Sequence, residues 1–183
     1  MNAQKHPKNF PVSSFIGVSL IIVFFLFNAQ VITSIPCGKG IEDVFMSNFV
    51  HVDISHLLAN LYALYALSRI EQEMGFQKFI MLLIYLLVFN TLAEFLARKI
   101  WKDMKCSIGF SGILFGMLTW ELVAKKKFDM QLMLAIVLMV VGPSLQNKRA
   151  SLSGHVVGAV SGIIGALIWK LLGNHPLKTT YKI

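Results

Sequence analysis

Six apolar stretches, separated by short loops that hold most of the charge, constrain this chain more than any other feature. They run over about 11–33, 53–68, 76–97, 111–124, 130–144 and 153–172. A bilayer core is roughly 30 Å thick and takes about 20 helical residues to cross. The fourth and fifth stretches are short, which places them inside a bundle of longer helices. Only 14% of the 183 residues are charged and 56% are hydrophobic, against about 25% charged in a soluble domain. The expectation is an all-α membrane protein with six transmembrane helices. Its core covers 11–172, between an N-terminal tail (1–10) and a C-terminal tail (173–183). The first stretch does not read as a signal peptide, because its apolar part is long and no small-residue cleavage site follows.

The net charge of +8 is spread over loops and ends. It forms no patch on a soluble face, so nucleic-acid binding is not expected. Basic loops in a membrane protein face anionic lipid and set orientation. Ten of the Lys and Arg residues fall on the side of the N-terminus, among them Arg69, Lys78, the Lys125–Lys127 run and Lys170; seven fall on the other, "outer" side. That bias favours both termini on the inner, cytoplasmic side of a multi-pass protein. Cys37 and Cys106 both fall in outer loops. Two free thiols are the expected state, with a disulfide as the alternative.

Polar side chains cost free energy in hydrocarbon, so each one asks for a reason. The second, fourth and sixth stretches run from the outer to the inner side and end at Arg69, Lys125 and Lys170. His56, Ser111 and His155 precede those residues by 13, 14 and 15 positions. At 1.5 Å per residue, all three lie roughly 20–23 Å from the inner boundary. They are therefore recessed to one common depth. Asn60 lies one turn deeper than His56 on the same helix face. Gly112 and Gly116 on the fourth stretch, and Gly154, Gly158 and Gly162 on the sixth, form ladders of small residues that let helices approach closely. Facing ladders would bring Ser111 to His155, with Phe115 one turn below to stack on the imidazole.

Peptide hydrolysis needs a nucleophile, a base and stabilisation of an oxyanion. Histidine can take the proton of a serine hydroxyl. Ser111 opens a helix, so its backbone N–H is unused by the helix and lies at the positive end of the dipole. His56 and Asn60 can add side-chain donors. The sixth stretch has no acidic residue, so a Ser–His dyad is expected rather than a triad. A lone Gly-x-Ser-Gly is weak, arising by chance in roughly one chain of this length in twenty. Its combination with two histidines at one depth is far more specific. Nothing in this chemistry asks for a metal or a cofactor.

These residues resemble the motifs of the rhomboid intramembrane serine proteases, in order and spacing, over nearly the whole chain. "HVDISHLLAN" (51–60) is similar to the family's His-x4-His-x3-Asn, "GFSG" (109–112) to its Gly-x-Ser-Gly, and "GHVVGAVSG" (154–162) to its His-x2-Gly-x3-Gly. "EQEMG" (71–75) resembles an acidic-then-glycine pattern after the second helix. The resemblance implies a six-helix rhomboid-like bundle with the short fourth helix at its centre. It implies Ser111 as nucleophile and His155 as base and then acid. It implies His56, Asn60 and the Ser111 amide as oxyanion donors. Gly109, Gly112, Phe115 and Gly158 would support them, and His51 would order the loop or its water. The substrate implied is a single-span membrane helix, cut near its outer end.

The chain departs from the family pattern in three places. "GIEDVF" (40–45) stands where a Trp-Arg pair is usual in the first loop, which puts the fold of that loop in question. Phe115 replaces a common tyrosine. Phe110 replaces a common alanine before the serine, where it is expected to narrow the substrate entrance. Among other polar positions, Asn90 and Glu94 read as structural, Glu121 as an ion pair with Lys125, and Asn28 as an interhelical hydrogen bond. His6 and His175 lie in the tails. Two other functions compete. One is a non-catalytic relative that binds membrane helices as a chaperone or adaptor, which the altered first loop keeps open. The other is a small transporter, for which the inner half offers only Glu121. The substrate's identity, the particular membrane and the oligomeric state are not encoded in these patterns.

Overall fold

The computed structural model describes residues 10–33, 37, 40–125, 129–146 and 152–173, with the side chains of 140–146 outside the description. Nearly all of both expected tails, His6, His175 and Lys126–Lys127 lie outside these residues. The described chain is helical: α1 (Pro11–Asn28), α2 (Ile41–Ser47), α3 (Ile54–Met74), α4 (Phe76–Ile100), α5 (Ser111–Ala124), α6 (Met130–Gln146) and α7 (Leu152–Leu171). Six of these match the six apolar stretches. Three helices, α1, α4 and α7, are long and apolar enough to cross a membrane by length and composition. At 21 residues α3 is long enough, but His56, Asn60 and a charged last turn lower its hydropathy. The fold is that of an integral membrane protein, and length and composition alone do not fix six spans.

The helix ends follow from local chemistry. Pro11 starts α1, where its missing N–H costs nothing. The next donors of that first turn are met by the buried Glu71 carboxylate of α3, which accepts from Val12 N at 2.8 Å, Ser13 N at 2.9 Å and Ser13 Oγ at 2.7 Å. Asp53 caps α3 by accepting from His56 N at 2.8 Å. Gly75 alone separates α3 from α4, and its φ of 82° is the left-handed conformation that such a reversal needs.

The part of the first loop that the sequence left in question is helical from Ile41 on. "GIEDVF" opens α2, with Glu42 and Asp43 in its first turn and Asp43 accepting from Gly40 N at 3.2 Å. Acidic groups are favourable at a helix N-terminus. The expectation of two free thiols is overturned: Cys37 and Cys106 form a disulfide with a Cα–Cα distance of 5.6 Å, within the usual range. Sequence could place both cysteines on one side but not bring the two loops together.

α5 is the central helix, in contact with α3, α4, α6 and α7, and most extensively with α7. Ten of its 14 residues are buried, whereas α1 buries only Ser13, Leu20 and Phe24. The α5–α7 seam is made by glycine. A Cβ on Gly158 would collide with the Gly112 carbonyl, and one on Gly162 with that of Gly116. Thr119 Oγ1 crosses the seam to Ala159 O at 2.7 Å. At the inner end, Glu121 pairs with Lys125 at 2.9 Å, as its spacing suggests, and also with Arg69 of α3 at 2.6 Å. Asn28 differs from expectation. Its amide donates back to Phe24 O of its own helix at 2.9 Å, because the helix end offers a nearer acceptor than any neighbour.

Candidate active site

The site is built at the N-terminal end of α5, which packs on α3 and on α7. The glycine seam sets its width, because α5 and α7 approach until backbone meets backbone. Ser111 is the first residue of α5 and His155 lies in the first turn of α7. His155 Nε2 is 3.1 Å from Ser111 Oγ. Phe115, one turn along α5, lies against the imidazole with ring centroids 4.6 Å apart and planes tilted by 44°. The two residues singled out for a dyad are therefore brought together. His155 is largely buried and Ser111 is partly exposed.

A second cluster lies beside the dyad, around His51. This ring is fully buried and makes three polar contacts. Its Nδ1 is 3.3 Å from Phe49 O. A carbonyl only accepts, so this contact puts the proton on Nδ1 and leaves Nε2 as an acceptor. Nε2 is then met by Asn60 Nδ2 at 2.8 Å and by the Phe110 N–H at 3.5 Å. Burial, with the neighbouring His56 second, pushes the His51 imidazole down to about 4, so the neutral ring persists at neutral pH. His56 lies edge-on to His51 with centroids 5.0 Å apart. Among the described residues, no hydrogen bond joins His56 or Asn60 to Ser111, and these two face the approach to α5 from α3.

Gly109 is where the two clusters fit together. Its φ is 99°, a conformation that side chains rarely adopt, and its N–H donates to Ser47 O at 2.9 Å. A Cβ there would lie 2.9 Å from His56 Nε2, so glycine is required both by backbone and by space. Gly112 allows Asn90 to approach; a Cβ on it would sit 3.2 Å from Asn90 Nδ2.

Phe110 does not line an entrance. It is fully buried in the hydrophobic core and packs on Phe49 at 6.1 Å between centroids. It is the N-cap of α5, and its ring turns inward onto Phe49 of the α2–α3 connection. Asn90 and Glu94 are structural, as expected. Asn90 Nδ2 donates to Asn48 Oδ1 at 3.3 Å, and Glu94 Oε1 accepts from Ser107 N at 3.1 Å. Sequence reasoning missed the linking position of His51 and the grip of Arg69 on Glu121. The spacing of His51 and Asn60, nine residues apart across a helix start, carries no periodic signal.

A helical membrane bundle with a serine and a histidine in contact at its outer rim defines a narrow class. A family model for the rhomboid domain matches residues 39–171, and the chain belongs to the rhomboid family. A protein of Acanthamoeba polyphaga mimivirus that bears the name of a rhomboid protein is 27% identical over 158 residues, covering 83% of this chain and 86% of its own.

Proposed function

We propose that this protein is an intramembrane serine endopeptidase that cuts transmembrane-helix substrates near their outer end. The observation that carries the reading is the 3.1 Å contact between Ser111 Oγ and His155 Nε2, a distance suited to proton transfer. Neutral His155 accepts the hydroxyl proton at Nε2 as Ser111 Oγ attacks the scissile carbonyl carbon. The carbonyl oxygen becomes an oxyanion, met by the Ser111 N–H at the α5 N-terminus and by the side chains of His56 and Asn60. As the tetrahedral intermediate collapses, His155 returns the proton to the departing amine. A water molecule, activated by the same imidazole, then hydrolyses the acyl-enzyme. His51 acts by holding Asn60, and Phe115 by holding the His155 ring.

Substrate would enter from the lipid between α3 and α6. Among the described residues α6 packs on α5 and α7 and not on α3, which leaves that side of the site uncovered by helix. In this reading α1 and α3 to α7 cross the bilayer, the protease core covers 11–172, and both termini are on the inner side. The partners are single-span membrane proteins and the bilayer itself, with no metal or cofactor in the reaction.

The test is turnover of a fluorescently labelled single-span substrate by the reconstituted protein. Cleavage by wild type and none by Ser111→Ala or His155→Ala is the expected result. Cleavage by Ser111→Ala at the wild-type rate would sink the proposal. Substrate binding without turnover by the wild-type protein would favour the chaperone or adaptor reading instead.

A further inference from the structure

The segment that delivers the nucleophile, residues 101–110, lies between α4 and α5 and is not helical. Besides the burial of Phe110 at its end, four ties hold it in place. Glu94 accepts from Ser107 N, Gly109 N donates to Ser47 O, and Phe110 N faces His51 Nε2. Each is a single hydrogen bond, and single hydrogen bonds are individually weak. The fourth tie is covalent. Cys106, five residues before Ser111, is bonded to Cys37 of the α1–α2 connection. That partner is itself anchored, because Arg98 at the end of α4 donates to Cys37 O at 3.1 Å. The disulfide closes a separation of 69 residues, so no local structure could replace it.

We propose that the Cys37–Cys106 disulfide is a positioning element of the active site, and that the segment bearing Gly109, Phe110 and Ser111 is held in its working geometry only while the bond is intact. The proposal rests on the proteolytic reading above. Both cysteines are half-buried, within reach of a small dithiol. Reduction by a dithiol breaks the Sγ–Sγ bond and places two electrons and two protons on the two cysteines. The dithiol becomes a cyclic disulfide. The segment then keeps its single hydrogen bonds and the buried Phe110 ring but loses its covalent tie upstream of them, and the Ser111 hydroxyl shifts from His155. Displacements of about 1 Å at a reacting group cost on the order of a hundredfold in rate. Because such bonds persist in oxidising compartments, the same proposal places the mouth of the site on an oxidising side of the membrane.

The experiment uses the full chain in native membranes and then in lipid nanodiscs. Free thiols are probed with a polymer-linked maleimide before and after reduction with dithiothreitol. Amide hydrogen exchange is followed over 105–111, and Ser111 is labelled with a fluorophosphonate. Expected are no adduct before reduction and two after, faster exchange in the reduced form, and a maximal labelling rate lower by roughly a hundredfold. The half-saturating probe concentration should hold, and oxidised glutathione should restore both readouts. The Cys37→Ser/Cys106→Ser double variant should match reduced wild type and ignore dithiothreitol. Two maleimide adducts in native membranes without reduction would overturn the proposal. So would unchanged exchange and labelling on reduction, or an equal loss in the double variant on adding dithiothreitol. If the double variant does not fold, reversible reduction of wild type decides alone. Absence of labelling in every state, with exchange still rising on reduction, would refute the proteolytic reading and leave the tether standing.

Discussion

Replacing Gly158 with alanine tests whether close helix approach serves the chemistry. The new Cβ points at the Gly112 carbonyl, and backbone cannot step aside as a flexible side chain can. α5 and α7 must part by about 1.5 Å to reach ordinary contact. His155 lies one turn before Gly158 on the same helix face, so the separation reaches it nearly undiminished. The Ser111–His155 distance starts at 3.1 Å and would lengthen to roughly 4.5 Å, beyond hydrogen-bond range. Turnover should fall about a hundredfold, and overpacking should cost about 1–3 kcal/mol of stability. The assay is substrate cleavage in liposomes beside thermal unfolding of the same preparation. Gly17→Ala is the control, because its Cβ would meet Leu61 at an ordinary 3.6 Å. It should leave cleavage within error and stability equal or higher by up to about 1 kcal/mol. A folded Gly158→Ala protein that cleaves at the wild-type rate would refute the link between seam and dyad.

Asn60→Ala removes one proposed oxyanion donor, and kcat should fall by about 10²–10³-fold with KM little changed; a loss confined to KM would assign Asn60 to substrate binding instead. His51 gives a pH signature. Its imidazole is held at about 4 against an ordinary 6.5, so the unfolded chain binds a proton that the folded chain refuses. Stability is full above about 6.5 and declines as pH falls towards about 4, by up to about 3 kcal/mol. His51→Gln should reduce that slope, as measured by denaturation at a series of pH values, while an undiminished slope would place its origin elsewhere.

The helices and the Ser111–His155 contact were legible because both depend on patterns that physics makes local. Apolar runs mark α1 and α3 to α7, and counting back from Arg69, Lys125 and Lys170 places His56, Ser111 and His155 at one depth. Glycine spacing foretold the seam, since only small residues permit it. What escaped depends on contacts across the bundle. The disulfide needs two loops to meet, and the Arg69–Glu121 pair joins residues 52 positions apart. Phe110 was misjudged because size is visible in a sequence and direction is not. α2 was hidden because seven residues give too little periodicity to distinguish a helix from a turn.

The carboxylate of Glu71 has a bearing on how the bundle comes into being. The donors that it satisfies at the start of α1 were synthesised 58 residues earlier. At typical translation rates of about 5–20 residues per second, the first helix waits roughly 3–12 s for its acceptor. During that interval its opening turn has only water and lipid headgroups to bond. The register between the first and third helices is thus fixed late, by a group on the second to arrive, and α1 should remain free to slide and tilt in the membrane until the third helix is complete.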